Sequence, residues 1–383
     1  MKSLGPCIIC GDPITQKTDS REHVITNAIG GRLKTRGFIC KKCNNKMGHT
    51  WDDTLAEQLN LLCLFFGVVR QRGKSPSHPI QTTTGEKYLL QPGGALKPHK
   101  PTVKKTEREG GRTEFQITAR TSEEARKILK GIKRNYPTLD IEETLRGAKD
   151  TTSYPTGLLN FSNQLGGELA GRSIVKTAAA YAHNVGLSVN GFPAALRYLS
   201  DPAAEACFGY YYETDLVTNR PPGVPIHCVA VSGNPDSRLL LAYVEFFAVH
   251  RMVICLSDQY AGTAIDQAYA IDPTTGKEVG VSLAPLQFSA SDVEEIYAYG
   301  KIPDGSIERA FAEVLQPAMK RQFDAETTRQ ISDAVEYGFK NCGAKPGDIL
   351  TEQQTKTLTG LIMQRLQPFL LHRIRMKHDP PRR

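Results

Sequence analysis

Two cysteine pairs set the strongest constraint on this chain: "CIIC" (Cys7, Cys10) and "CKKC" (Cys40, Cys43), with 29 residues between them. Each Cys-x-x-Cys turn aims two thiolates at one point, and two such turns complete a tetrahedral four-sulfur site of the kind zinc takes. The gap exceeds ordinary finger spacing and has room for a β-hairpin that carries side chains of its own. By themselves the pairs also fit a purely structural zinc ribbon or treble clef. A redox role lacks a thioredoxin-like βαβ context. The other cysteines (Cys63, Cys207, Cys228, Cys255, Cys342) are scattered singly, mostly in apolar segments. That is the pattern of reduced thiols beside one metal site, not of a disulfide framework.

The stretch between the pairs contains "DSREHVITNAIGG", residues 19–31. Glu22 and His23 would end a strand, and Gly30-Gly31 would turn the chain back. After the second pair come Asn44 and a helix. The four-cysteine site would staple this strand–loop–helix unit so that Glu22, His23 and Asn44 converge. One carboxylate, one imidazole and one amide suit Mg²⁺-assisted phosphodiester hydrolysis. A hard oxygen ligand holds the ion, an imidazole deprotonates water, and the metal stabilises the pentacovalent phosphate. Outside such a frame a Glu-His pair reads as an exposed strand end or a binding surface.

The combined pattern "CIIC…SREHVITNAIGG…FICKKCNNKMG" resembles the zinc-containing branch of the HNH endonucleases, the ββα-metal nucleases, over about residues 5–60. The resemblance implies that Glu22 is a ligand of a catalytic Mg²⁺ or Mn²⁺ and that His23 is the general base. It implies Asn44 as a second ligand of that ion, and Cys7, Cys10, Cys40 and Cys43 as ligands of a structural Zn²⁺. DNA is the implied substrate, cut to 5′-phosphate and 3′-hydroxyl ends. Two positions depart from the family's pattern. The middle Asn that ties the loop in many members is missing from "LKTRGFIC", which leaves Asn27 as the candidate for that task, and position 26, often Pro, is Thr. The arrangement also resembles stand-alone bacterial HNH proteins linked to mobile elements or antiviral defence. The alternative reading is a non-catalytic zinc knot that binds nucleic acid or protein.

The rest of the chain is expected to be α+β. "WDDTLAEQLNLLCLFFGVVRQ" places Leu55, Leu59, Leu62 and Phe66 at helical spacing, a helix closing a nuclease module over 1–70. Residues 71–115 are rich in Pro, Gly and Lys, with one strand-sized piece at "KYLL", and read as a linker with a hairpin or as a flexible basic arm. Residues 112–143 read as strand, helix, strand, with Thr121 or Ser122 capping the helix. Residues 116–383 read as a larger mixed α+β accessory domain that targets, regulates or dimerises. It holds a helix in "ELAGRSIVKTAAAYAHNVGL", strands in "IHCVAVSG" and "LLLAYVEFFAVHRMVICLS", and a hairpin turning at 273–276. Its C-terminus is helical, with a kink or break at Pro368.

The N-terminus has no apolar signal-peptide core, and the longest apolar run, 239–249, is too short to span a bilayer. The expected location is cytoplasmic, with no membrane partner. A net charge of +8 is a mild push toward a polyanion, and the basic stretches 97–112 and 372–383 are candidates for tracking phosphates. His49 reads as a surface residue, and Asp52 as a helix N-terminal charge or a supplementary metal ligand. His183 reads as a packed or capping histidine, and His227, Glu245, His250 and Arg251 as satisfied strand or edge residues. A homodimer, and a partner protein or small-molecule activator acting through the accessory domain, complete the expectations.

Overall fold

The segment 239–257 is apolar almost throughout, and such a run makes strands only where both sheet faces are covered. The computed structural model, which describes residues 4–149, 151, 154–160 and 164–378, shows this arrangement. Leu239–Phe246 and His250–Ser257 are buried along their whole length. They are central in a six-stranded antiparallel sheet with the order Lys277–Glu278, Ile265–Asp272, His227–Asn234, Leu239–Phe246, His250–Ser257, Phe208–Tyr210. The turn at 273–276 joins the first two of these as a hairpin, as its sequence predicts.

Alternate residues of the strands point to opposite faces. Val229, Val231, Ala242, Val244, Met252 and Ile254 meet the helix Glu168–Asn184 through Ile174, Val175, Ala178 and Ala179. Ala230, Leu241, Tyr243 and Val253 pack on the other face against Val293, Ile296 and Val314. The first of these cores continues without interruption into the cysteine-rich segment, through Ile8, Ile14, Val24, Ile25, Ile29, Phe38, Ile39, Trp51 and Leu55.

Within that segment the strands Glu22–His23 and Lys34–Thr35 pair antiparallel, with Glu22 opposite Thr35 and His23 opposite Lys34. The helix Lys41–Met47 starts at Cys40, whose sulfur accepts the Cys43 N–H. The helix expected from Asp52 is broken into pieces: a π-type turn Gly48–Asp52, then Asp53–Gln58 and Asn60–Phe66, ending at Gly67 in the left-handed conformation (φ 71°).

The compact units do not follow the boundaries read from composition at 70 and 115. Residues 1–76 and 92–94 form one unit with 163–320, and residues 77–91, 95–162 and 321–383 form the other. The physical reason is the shared core: the cysteine-rich segment buries its apolar side chains against the Glu168–Asn184 helix instead of closing a core of its own.

The second unit corrects the linker reading of 71–115. His78–Thr82, Lys87–Leu90 and Leu96–Pro98 join Leu159–Asn160 in a four-stranded sheet, and Thr102–Arg108 pairs with Arg112–Thr118 as a hairpin. The hairpin's first strand is exposed at every residue, which hides it from a search for apolar alternation. Thr121 caps the helix Ser122–Lys133 through the Glu124 N–H. The strand expected at the end of 112–143 is instead the start of a helix, Ile141–Arg146, because Asp140 caps it through the Glu143 N–H. The C-terminal helix Glu352–His378 continues through Pro368 without interruption. It pairs with the helix Ser306–Asn341 through Arg365–Asp333 and through Leu358 and Ile362 beside Gly338.

Candidate functional site

The four cysteines converge. Their sulfurs all lie within 4.8 Å of one another, and Cys10 Sγ is 3.9 Å from Cys40 Sγ. A tetrahedral zinc with Zn–S bonds near 2.3 Å sets sulfurs about 3.8 Å apart, so the cluster has the dimensions of a four-sulfur zinc site. Backbone N–H groups already point at the sulfurs, from Cys40 to Cys7 (3.4 Å) and from Cys43 to Cys40 (3.5 Å). Burial pushes the Cys10 thiol up to about 11 and the Cys43 thiol higher still. At Cys7 burial acts the same way, but the N–H groups of Cys10, Cys40 and Ile9 outweigh it and pull the thiol down. Four thiolates in this volume need a cation among them, which is the chemistry zinc supplies.

Glu22 is buried, with its side chain 6% exposed. Its strand position turns it toward the Glu168–Asn184 helix, where Lys176 Nζ lies 2.6 Å from Glu22 Oε1 and 2.5 Å from Asp52 Oδ2. Ser173 Oγ, one turn earlier on that helix, donates to Asp52 Oδ1 at 2.6 Å. The Asn44 amide donates to Ser20 Oγ at 2.5 Å. Burial raises the Glu22 carboxyl above its usual range, with Lys176 and Asn44 pulling it part of the way back and Asp52 opposing them. Burial alone would lower Lys176, but Asp52 and Glu22 outweigh it and hold the ammonium charged. Lys176 thus bridges two buried carboxyl groups.

His23, the next residue, is half-buried. Its Nε2 lies 3.1 Å from Gln71 Oε1; because that oxygen only accepts, Nε2 carries the proton and Nδ1 keeps a lone pair. Desolvation lowers the imidazole's pKa, only partly countered by Gln71, so the ring is neutral near pH 7. Gln71 is held in turn by Asn27, whose Oδ1 accepts the Gln71 N–H (2.8 Å) and whose Nδ2 donates to the Arg72 carbonyl (3.4 Å). The loop that lacks the family's middle Asn is tied by Asp19, which accepts the Gly37 N–H at 2.8 Å. The Gly-Gly turn is a close approach: a Cβ on Gly31 would sit 1.7 Å from the Ile25 carbonyl oxygen. His227 braces the turn from the central sheet. Its Nδ1 accepts the Phe247 N–H (3.1 Å), so its Nε2–H donates to the Ile29 carbonyl at 2.8 Å.

Of the residues singled out by sequence, the structure gathers the cysteine quartet, while Glu22 pairs with Lys176 and Asn44 with Ser20. His23 makes no hydrogen bond to either among the described residues; its partner is Gln71. Asp52 stands at the N-terminus of the helix Asp53–Gln58, but it is buried there as a partner of Lys176. His49 is exposed and faces Asp53 (3.6 Å), and His183 bonds the Arg36 carbonyl (3.0 Å) and packs on Phe38. Glu245 is fully buried and satisfied, by two 2.7 Å contacts from Arg220 and one of 2.5 Å from the Tyr243 hydroxyl. In the basic C-terminal stretch Arg373 lies 3.6 Å over the Phe323 ring and His372 stacks on Tyr154, while 379–383 fall outside the described residues. Lys176, Ser173 and Gln71 were missed. The only local sign of Lys176 was a lone ammonium in an otherwise small and apolar stretch, "SIVKTAAAYA".

Among the described residues no helix is long and apolar enough to cross a membrane. The family model described as HNH endonuclease matches residues 7–60. No curated protein and no solved structure matches the chain. The matched span contains all four cysteines, the Glu22-His23 strand, the Gly-Gly turn and Asn44. Residues 7–60 are therefore a module of the HNH endonuclease family, built around a cysteine cluster that fits structural zinc.

Proposed function

We propose that this module hydrolyses DNA phosphodiester bonds with the help of a divalent cation, Mg²⁺ or Mn²⁺. The observation that carries the reading is the match of residues 7–60 to the HNH endonucleases, within which the buried Glu22 carboxylate directly precedes a neutral, half-buried His23. The donor set fits the ion: a carboxylate and an amide oxygen are hard ligands. Such an ion, when bound, polarises the scissile phosphate and stabilises the leaving oxygen. Glu22 and Asn44 hold it. His23 takes a proton from the attacking water at Nδ1, while Gln71 fixes its ring through Nε2–H. The four cysteines hold zinc, which keeps the helix bearing Asn44 against the strand bearing Glu22. The remainder of the chain targets or gates the cut, and the exposed Lys104, Lys105, Arg108 and Arg112 of the 102–118 hairpin suit contact with a phosphate backbone.

A plasmid-nicking assay with Mg²⁺ tests this reading. Replacing a general base removes about 10²- to 10⁴-fold of rate, and His23→Ala is expected to lose that much. Cleavage unchanged by the substitution would overturn the assignment. DNA binding with no cleavage by the wild type would favour a non-catalytic zinc-knot binding module.

A further inference from the structure

The Lys176 ammonium is 154 positions from Glu22 in sequence and lies in none of the matched span. Its side chain is 2% exposed, and its two carboxylate partners are 6% and 12% exposed. A lysine is almost never buried to this degree unless its charge is paired. Here it separates two carboxylates, one of which (Asp52) is fixed independently by Ser173. It also engages one named oxygen of Glu22, Oε1.

We propose that Lys176 is a positioning residue of the metal site: it fixes Glu22 through Oε1 and, by its positive charge, holds down the site's affinity for the divalent cation. This rests on the nuclease reading above. A fixed unit charge a few ångströms from a bound divalent ion repels it strongly in a buried setting. The lysine thus trades tight ion binding for a defined carboxylate geometry. It also makes the site composite, since the span that matches the family supplies Glu22, His23 and Asn44, and the helix from the distant segment supplies the group that orders them.

The test is a Mn²⁺ titration of the full chain followed by electron paramagnetic resonance, with melting curves taken without and with Mn²⁺. Lys176→Met, similar in length and uncharged, is expected to bind Mn²⁺ about ten-fold or more tightly than wild type. Without the ion it melts lower, because two buried carboxylates then face each other, and Mn²⁺ narrows the difference. Nicking per bound ion falls. Lys176→Arg, which keeps the charge, stays near wild type in Mn²⁺ affinity. Should the methionine variant not fold, Lys176→Gln gives the same comparison, with the same gain expected. Mn²⁺ affinity of the uncharged variant equal to or weaker than wild type would overturn the proposal, even with His23-dependent nicking intact. Absence of Mn²⁺ binding in wild type and variant alike would overturn both this proposal and the nuclease reading beneath it.

Discussion

At Gly31 the chain has no room for a side chain. A Cβ there would lie inside the van der Waals shell of the Ile25 carbonyl oxygen, at 1.7 Å, and the obstacle is backbone that cannot swing aside. Gly31→Ala is expected to destabilise the protein by on the order of 3 kcal/mol, read as a lower urea midpoint. A midpoint within error of wild type would mean the turn can open at no cost. Residues such as this one were legible because their partners are close in sequence. The cysteine pairs, the Gly-Gly turn, and Asn44 directly after Cys43 all belong to one stretch whose spacing fixes its geometry. Asn27 was also named for loop fixation, and it does anchor a segment, though that segment is 71–72 and not the 35–37 loop. Gln71 and Lys176 were not legible. A glutamine in a Pro- and Gly-rich stretch and a lysine in an alanine-rich helix carry no sign of which distant atom they will meet.

The helix Lys41–Met47 depends on the cysteine cluster at its first turn, where Cys40 is both a sulfur ligand candidate and the N-cap. It has seven residues, too few to persist in isolation. Ile8, Phe38 and Ile39 are buried in a core shared with the Glu168–Asn184 helix. Loss of the ion should therefore loosen the two cysteine turns and this helix while the central sheet stays folded. Cys40→Ser is expected to bring the zinc content from one per chain to none and to abolish nicking, by displacing Asn44, with the far-ultraviolet signature of the sheet retained. Full nicking by protein that elemental analysis shows to be free of zinc would contradict this. The strand Thr102–Arg108 of the exposed hairpin is the element least visible in the sequence, for every one of its residues is exposed.

On the scale of the molecule, the unit formed by 1–76, 92–94 and 163–320 couples its site to its stability. His227 is fully buried and neutral, with both ring nitrogens bonded, and burial depresses its pKa from 6.5 to about 4; His250 is pushed to about 4 in the same way. The unfolded chain takes up these protons near pH 6.5 and the folded chain only near 4. Stability from each is therefore complete above about pH 6.5 and is lost as pH falls through that window, by up to roughly 3 kcal/mol at His227. Urea melts at pH 7 and pH 4.5 should show that loss, and His227→Gln, which keeps a donor for the Ile29 carbonyl and does not titrate, should show a smaller one. Equal losses in the two proteins would rule out the histidine as the cause. The continuous core that runs from Ile8 to the central strands has one more consequence. Whatever settles at Glu22 and Asn44 is bound only by the folded unit, so its binding energy adds to the stability of the entire sheet. Melting of a sheet made almost wholly from residues outside the matched span becomes a gauge of site occupancy, by which metal ions and oligonucleotides can be ranked without a single bond being cut.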